Sequence, residues 1–220
     1  MEIRTKIYQS QGNRALLNLL PQIKGRVLDC GCGTGANGAI LKSWGWQTVG
    51  LTISPGELEI AKESYDSIFL ADLEQGIPDD VGQDYDVVLM SHVLEHLIHP
   101  ENLLQDAKGV LTTGGLLAVA LPNFLTYSNR IKMLFGKLAY ESSGFMDENH
   151  VRIYSFKTGK KLLEDNGYIV FLAKAQGFFP LWKLRQFFPE LLNDALNSLV
   201  SKWVPGFFGF QSLYLAKLPI

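Results

Sequence analysis

The most informative segment of this sequence reads Val27-Leu28-Asp29-Cys30-Gly31-Cys32-Gly33-Thr34-Gly35. Its apolar start predicts a short strand, and the residues that follow it, 36–44, predict a helix. The alternating glycines between them predict a tight turn, in which the missing side chains let a ligand touch the backbone. Unpaired N–H groups at the start of the helix would face the same ligand. The segment therefore predicts a binding site for a nucleotide-like or anionic ligand.

Strands and helices alternate on either side of this segment. Such alternation is typical of a parallel sheet with helices on both faces, so we predict one α/β domain with a doubly wound sheet. Ser54 and Pro55 mark a helix start, in which Glu57 is expected to complete a capping box with Ser54. The predicted strands are 26–30, 48–51, 67–71, 85–90, 116–121, 168–173 and 213–217, and the predicted helices are 7–20, 36–44, 101–111, 155–166 and one that begins at 55.

Composition narrows the class of protein. Hydrophobic residues make up 47% of the chain, which is enough for a large core. The 20 basic and 22 acidic residues give a net charge of -2, so we expect no nucleic-acid partner. The sequence shows neither a secretory signal nor an apolar run of bilayer length, which favours a cytoplasmic protein. Cys30 and Cys32 are too close together to join distant segments and are interpreted as reduced packing residues.

The spacing Gly33-x-Gly35-x-x-Gly38 also satisfies the pattern of enzymes that bind a nicotinamide or flavin dinucleotide. Such sites have an acidic residue about 20 positions further on to bind the ribose hydroxyls. This sequence has Thr52 there, and Asp29 would repel a pyrophosphate. An NAD(P)-dependent oxidoreductase is therefore the disfavoured alternative.

An acidic residue followed by three alternating glycines closely resembles motif I of the class I S-adenosylmethionine-dependent methyltransferases, and the likeness extends over roughly residues 20–175. Segment 71–73 is similar to the acidic position after the family's third strand, segment 91–97 to the part that closes over the cofactor, and segment 111–117 to the bend before the fifth strand. The resemblance is to bacterial small-molecule methyltransferases of types 11, 12 and 23. It implies a Rossmann-like, seven-stranded, mostly parallel sheet of order 3-2-1-4-5-7-6 with the last strand antiparallel, and S-adenosyl-L-methionine as the cofactor.

The resemblance also implies which residues bind this cofactor. Asp29 would accept hydrogen bonds from its ammonium group, directly or through water, and Asp72 would read the adenine amino group. Thr52 stands where the family usually has an acid for the ribose hydroxyls. A similar Thr occurs in the cyclopropane fatty acid synthase branch, so a contact through the hydroxyl is expected, weaker than that of an acid. The complete expected set is Asp29, Gly31, Cys32, Gly33, Gly35, Leu51, Thr52, Asp72, Leu73, Ser91 and His92.

Methyl transfer needs an aligned nucleophile and a group that removes its proton. His96, His150 and His92 are the candidate catalytic bases, because imidazole titrates near neutral pH. In the alternative, structural interpretation, His96 packs against or caps its loop and Glu95 is solvated.

Metal binding is a further alternative for the same cluster. His92, Glu95 and His96 are spaced i, i+3 and i+4, so on a helix they would share one face and could hold a metal with His150. A similar Glu-x-x-Glu-His cluster occurs in oxygen methyltransferases of ubiquinone biosynthesis and in small-RNA ribose methyltransferases. Here His92 replaces the first glutamate, and we assign no metal site from the sequence.

The whole chain, 1–220, is expected to form a single methyltransferase domain. Pro122-Asn123 and His150-x-Arg152 resemble elements of bacterial methyltransferases associated with quinone, glycan or lipid pathways, so we predict O-methylation of a small-molecule, quinone-, glycan- or lipid-like acceptor. A non-catalytic cofactor-binding protein of the same fold is the second alternative. The aromatic C-terminal region predicts a helical lid, an apolar acceptor pocket or a transient contact with a membrane surface. The expected parts are an N-terminal helix (1–24), a cofactor-binding core (25–122), a substrate-side insertion (123–155) and a C-terminal half of the sheet (156–220) with the lid at 178–205.

Overall fold

A computed structural model of the chain describes residues 11–22, 24–137, 148–177 and 203–219. Its strands are β1 (Arg26–Cys30), β2 (Gln47–Thr52), β3 (Ser67–Leu70), β4 (Tyr85–Ser91), β5 (Leu111–Pro122), β6 (Ile169–Gly177) and β7 (Gly209–Lys217). Within these residues the strands form one sheet in the order β3-β2-β1-β4-β5-β7-β6. Neighbours from β3 to β5 are parallel, whereas β7 runs antiparallel to both β5 and β6. The expected strand order and the reversed last strand are confirmed.

Helices connect the strands, and their starts agree with the capping residues of the sequence. The Ser54 side chain accepts a hydrogen bond from Glu57 N at 3.4 Å, and the Ser155 side chain accepts one from Thr158 N at 3.2 Å. No helix in the described part of the chain has the length and apolar character needed to cross a bilayer. The helices are α1 (Arg14–Leu17), α2 (Ala36–Ser43), α3 (Pro55–Ala61), α4 (Pro100–Val110), α5 (Tyr127–Leu134), α6 (Phe156–Asp165) and α7 (Pro205–Phe208).

Two hydrophobic cores lie on opposite faces of the sheet, because successive side chains of a strand point in opposite directions. In β1, Leu28 packs into one core with Met90 and Tyr214, and Val27 packs into the other with Leu41. All five side chains are fully buried. A central strand that is covered on both faces explains why β1 is apolar at consecutive positions.

The N-terminal helix is shorter than the predicted helix of 7–20. Asn13 accepts a hydrogen bond from Leu16 N at 3.2 Å through its side chain, so α1 begins at Arg14. Only four residues of 11–22 are helical, and residues 1–10 lie outside the described residues. The apolar side chains of this segment are still buried as expected, since Leu16 lies fully buried in the core that contains Val27.

Three strands begin earlier than the sequence predicts: β2 by one residue, and β5 and β7 by more. β5 starts directly after α4 and includes a bend at Gly114, where φ is 84°, instead of starting at 116. β7 starts at Gly209 instead of at 213. The described part of the predicted insertion contains α5, and residues 178–202 of the predicted lid lie outside the described residues.

Replacement of Leu28 tests the central position of β1. We expect Leu28→Ala to lower the free energy of unfolding by about 2–5 kcal/mol, because the neighbours of a fully buried side chain only partly fill the cavity. Leu70→Ala is the matched control: Leu70 in the edge strand β3 is 55% exposed, and its truncation should cost less than about 1 kcal/mol. Urea denaturation measures both losses, and equal losses would contradict the central placement.

Candidate functional site

The glycine loop connects β1 to α2 at the carboxyl end of the sheet. Gly31, Gly33 and Gly35 have positive φ values of 76°, 53° and 92°. A Cβ atom on Gly31 would lie 2.5 Å from Val93 Cγ2, and one on Gly35 would lie 2.8 Å from Ser64 Cβ. The loop therefore needs glycine both for its backbone conformation and for space.

Two backbone hydrogen bonds fix this loop to the end of β2. Gly31 N and Cys32 N both donate to the carbonyl oxygen of Leu51, at 2.9 and 2.8 Å. The Leu51 side chain meanwhile lies in the core beside Cys30. Both cysteines are free and buried, and burial raises the pKa of each thiol, so they are neutral packing residues as expected.

Asp29 is a fully buried carboxylate in β1. Tyr65 Oη donates to its Oδ2 at 2.6 Å, whereas its Oδ1 accepts no hydrogen bond of good geometry. Burial raises the pKa of Asp29 to about 7, against the lowering effect of Tyr65 and of the nearby Asn37. An unsatisfied, buried carboxylate oxygen is unfavourable for the fold and is suited to a cationic donor.

The end of β2 holds a second buried carboxylate, which the sequence analysis missed. Thr52 Oγ1 donates to Glu57 Oε2 at 2.7 Å, and Ser54 N donates to Thr52 Oγ1 at 3.2 Å. The expected capping box is therefore only half formed: the Ser54 side chain accepts from Glu57 N, but Ser54 N donates to Thr52 Oγ1 and not to Glu57. A carboxylate from the first turn of α3 thus stands beside Thr52.

Asp72, Leu73 and Ser91 lie at the same edge of the sheet as the glycine loop, since they follow or end β3 and β4. Glu74 N donates to Asp72 Oδ1 at 3.2 Å in a turn that orients the partly exposed carboxylate. Leu73 is buried. Ser91 Oγ accepts a hydrogen bond from Asn13 Nδ2 at 3.2 Å, which joins the N-terminal segment to the end of β4.

His92 does not lie on a helix, so the predicted shared helical face is wrong. Its φ is 58°, in the left-handed region, and its Nε2 lies 2.9 Å from Gln211 Oε1 while its Nδ1 lies 3.3 Å from Glu95 Oε1. Burial lowers the pKa of His92, but Glu95 and Gln211 raise it by more, so the pKa lies above its ordinary value. An imidazole held between two acceptor oxygens is better suited to donate hydrogen bonds than to act as a base.

Glu95, His96 and His150 come together across a large sequence separation. Their candidate ligand atoms lie within 4.8 Å of one another, and the ring centroids of the two histidines are 4.8 Å apart. The expectation that Glu95 is solvated is wrong, because this side chain is fully buried. Its backbone carbonyl accepts hydrogen bonds from Val151 N and Arg152 N, both at 3.0 Å, which holds the His150 segment in place. Two imidazoles and a carboxylate can relay protons or coordinate a divalent cation.

The hydrogen bonding of His96 indicates which ring nitrogen is basic. Nδ1 lies 3.1 Å from the carbonyl oxygen of Asn149. Because a carbonyl oxygen can only accept, Nδ1 carries the hydrogen, and the basic lone pair of the neutral ring is on Nε2.

Asn123 and Arg152 belong to the two segments that resemble elements of bacterial methyltransferases, and both make structural contacts. Arg152 donates to the carbonyl oxygen of Ile98 and so ties the insertion to the core. Asn123 is fully buried and donates through Nδ2 to the carbonyl oxygen of Gly209 at 2.7 Å. Both residues fix loops around the site.

A sheet of this order, a glycine loop after its central strand and a buried acid before that loop define a class I S-adenosylmethionine-dependent methyltransferase. Residues 4–171 match the family model described as a methyltransferase domain, and the chain belongs to that family. This assignment replaces the oxidoreductase alternative.

Several known proteins are similar to this chain. The ubiquinone biosynthesis O-methyltransferase of Azorhizobium caulinodans is 32% identical over 109 residues, which cover 47% of this chain and 43% of that protein. The ribosomal RNA small subunit methyltransferase C of Aliivibrio salmonicida is 27% identical over 159 residues, which cover 66% and 44%. The chain thus spans less than half the length of both relatives. The crystal structure of a methyltransferase from Archaeoglobus fulgidus shares the fold, with a TM-score of 0.64, 20% identity and coverage of 93% and 91%.

The buried polar atoms at this edge fit S-adenosylmethionine, the cofactor of the family. The unsatisfied Oδ1 of Asp29 suits its ammonium group, and the carboxylate of Glu57 suits its ribose hydroxyls. The glycine loop offers a surface without side chains, which allows close approach of a ligand.

Asp29→Asn should change the pH dependence of stability. The pKa of Asp29 is about 7 in the folded chain, against an ordinary value of 3.8, so between these values the folded chain keeps a proton that the unfolded chain releases. The stability contributed by Asp29 is therefore full below the lower value and is lost as the pH rises to the upper one. As the pH rises across this window, we expect the free energy of unfolding of the variant to increase relative to that of the wild type, by at most about 1.4 kcal/mol per unit of pKa difference. Urea unfolding at acidic and alkaline pH measures this change.

Asp66→Asn is a control of opposite sign. The backbone N–H of Thr48 donates to Asp66 at 2.8 Å and lowers the pKa of this exposed carboxyl. The stabilisation by Asp66 is thus present above its unfolded pKa and is lost as the pH falls. If the stability of Asp29→Asn does not increase relative to the wild type with rising pH, the raised pKa of the buried Asp29 is disproved.

Proposed function

We propose that this chain transfers a methyl group from S-adenosylmethionine to a hydroxyl oxygen of a small-molecule, quinone-, glycan- or lipid-like acceptor. The observation that carries the proposal is the grouping of three side chains: His96 and the buried Glu95, which follow β4, and His150 from the insertion. A hydroxyl must lose its proton as it attacks, and an imidazole near a buried carboxylate is well suited to accept that proton.

The cofactor would be held by residues at or just beyond the ends of three strands and by the first turn of α3. Asp29 would bind the ammonium group, Glu57 and Thr52 the ribose, and Asp72 the adenine amino group, and the glycine loop would allow the cofactor to approach the backbone closely. When bound, the cofactor supplies an electrophilic methyl group on a positively charged sulfur. The chain's own task is to orient the acceptor and to remove one proton.

His96 is the proposed base. Asn149 fixes its tautomer and leaves the lone pair on Nε2, so the hydroxyl proton moves to that nitrogen. The ring of His150 lies beside that of His96, with the two ring centroids 4.8 Å apart. The buried carboxylate of Glu95 stabilises the resulting positive charge. His92 keeps Glu95 in position through its contact of 3.3 Å.

The charge distribution supports a small acceptor over RNA. The chain has a net charge of -2, and Glu57, Asp72 and Glu95 are all acidic residues at the proposed site. A chain with no excess of basic residues lacks the charge that binds the phosphates of a nucleic acid. Because some relatives are ribosomal RNA methyltransferases, RNA belongs in the test as a competing acceptor. A cytoplasmic location and a transient contact with a membrane surface stay predictions.

The acceptor test follows transfer of a radiolabelled methyl group from the cofactor. We expect label on a hydroxyl of at least one small acceptor in a panel that contains a catechol, an isoprenoid quinol, a hexose glycoside and a ribosomal RNA fragment. Label on the RNA alone would overturn the proposed acceptor class. Binding of S-adenosylhomocysteine without transfer to any acceptor would favour the non-catalytic alternative.

His96→Asn should separate proton removal from cofactor binding. Asparagine keeps a donor near the Nδ1 position but has no basic nitrogen, so kcat with the best acceptor should fall by about 10²–10⁴-fold. The affinity for S-adenosylhomocysteine, measured by calorimetry, should stay the same. His99→Asn is the matched control, because His99 is an exposed histidine that contacts Glu101. A variant with wild-type kcat would exclude His96 as the base.

Glu57→Gln should weaken ribose binding. Glutamine can still accept the hydrogen bond from Thr52, but it loses the charge, and a charge-assisted hydrogen bond is about twice as strong as a neutral one. We expect roughly tenfold weaker binding of S-adenosylhomocysteine and a smaller loss for its 2′-deoxy analogue, which offers Glu57 only the 3′-hydroxyl. Equal weakening for both compounds would show that Glu57 does not contact the 2′-hydroxyl.

A further inference from the structure

We propose that Tyr65 is a positioning residue that keeps Asp29 ionised for the ammonium group of the cofactor. The proposal rests on the role proposed above for Asp29. Tyr65 lies between α3 and β3, outside the segments from which the cofactor residues were predicted.

The hydrogen bonds of Tyr65 direct its single hydroxyl proton at Asp29. Gly38 N donates to Tyr65 Oη at 3.1 Å, and Tyr65 Oη donates to Asp29 Oδ2 at 2.6 Å. Because the hydroxyl accepts from the backbone of α2, its proton is free to point to the carboxylate. A short hydrogen bond to a carboxylate is charge-assisted and favours the ionised form. It occupies Oδ2, whereas Oδ1 accepts no hydrogen bond of good geometry.

Two glycines make room for the Tyr65 ring. A Cβ atom on Gly38 would lie 2.3 Å from Tyr65 Cζ, and one on Gly50 would lie 3.1 Å from Tyr65 Cδ1. Gly38 is inside α2 and Gly50 is inside β2, where glycine is destabilising relative to alanine. Both positions therefore keep a residue that is unfavourable in regular structure, where a Cβ atom would crowd the Tyr65 ring. Gly38, the last glycine of the dinucleotide-like pattern, has its role here.

The surroundings of Asp29 leave Tyr65 as the principal group that stabilises the charge. The titratable groups that interact electrostatically with Asp29 in the described residues include Tyr65 and the thiols of Cys30 and Cys32, and Glu57 acts in turn on Cys32. Burial raises the pKa of Asp29 to about 7, and among the effects that lower it the hydrogen bond from Tyr65 is the largest, ahead of Asn37. Loss of the phenol should leave more of the carboxyl protonated at neutral pH.

The test measures the affinity of S-adenosylhomocysteine by calorimetry in the wild type and in Tyr65→Phe from about pH 6 to 8.5. The midpoint of the pH dependence should move upward in the variant. A rise of about one pKa unit weakens binding roughly fivefold at pH 7 and less than about twofold at pH 8.5. The titration of the ligand's own amino group cancels in the ratio of variant to wild type.

Two controls separate this effect from a loss of packing. In Tyr168→Phe the removed hydroxyl is also buried, but it donates to the carbonyl oxygen of Leu104 at 2.8 Å, so the midpoint should not move. 5′-Methylthioadenosine lacks the ammonium group, and its affinity should not respond to Tyr65→Phe. Weaker binding of S-adenosylhomocysteine by the same factor at every pH would overturn the proposal. Absence of binding to the wild type would instead contradict the proposed function.

A second variant keeps the phenol hydroxyl and decides the question if Tyr65→Phe does not fold. 3-Fluorotyrosine incorporated at position 65 is a more acidic donor of almost the same size, so the midpoint should move downward. An unchanged or raised midpoint would overturn the proposal.

Discussion

Two backbone hydrogen bonds determine the geometry of the binding edge: those from Gly31 N and Cys32 N to the carbonyl oxygen of Leu51. They turn the chain from the end of β1 toward the end of β2, and the turn is possible because glycine tolerates positive φ. Cys30 and Leu51 are register partners, so the preceding Asp29 and the following Thr52 stand on adjacent strands. Backbone pairing therefore determines where the polar groups of the binding edge lie.

The site combines groups that favour binding and disfavour folding. Asp29 and Glu95 are fully buried, and each has at least one carboxylate oxygen without a hydrogen bond. An unsatisfied buried acceptor costs about 1–3 kcal/mol, and more when it is charged. The two cores on opposite faces of the sheet offset this cost through apolar burial. The same unsatisfied oxygen atoms that favour binding of a cation therefore lower the stability of the folded chain.

The sequence predicted those features of the fold and the site that depend on local signals. Apolar runs and glycines predicted the βα units, and the resemblance implied the strand order. His92 was misplaced because its spacing fits a helix and nothing in the local sequence indicates its left-handed φ. Glu57 was missed because a helix start explained it completely; its spacing of five from Thr52 across that turn was the available signal. Tyr65 gave no local signal, since its partners Asp29 and Gly38 are distant in sequence.

The position of β7 affects the order in which the sheet assembles. β7 lies between β5 and β6 and pairs with both, although it follows them in the sequence. Among the described strands, β6 has no other neighbour. During synthesis β6 must therefore wait until residues 209–217 have left the ribosome, whereas β1 to β5 can pair as they emerge. The cofactor half of the sheet can form first, and a chain arrested before β7 would expose unpaired strand edges that promote aggregation.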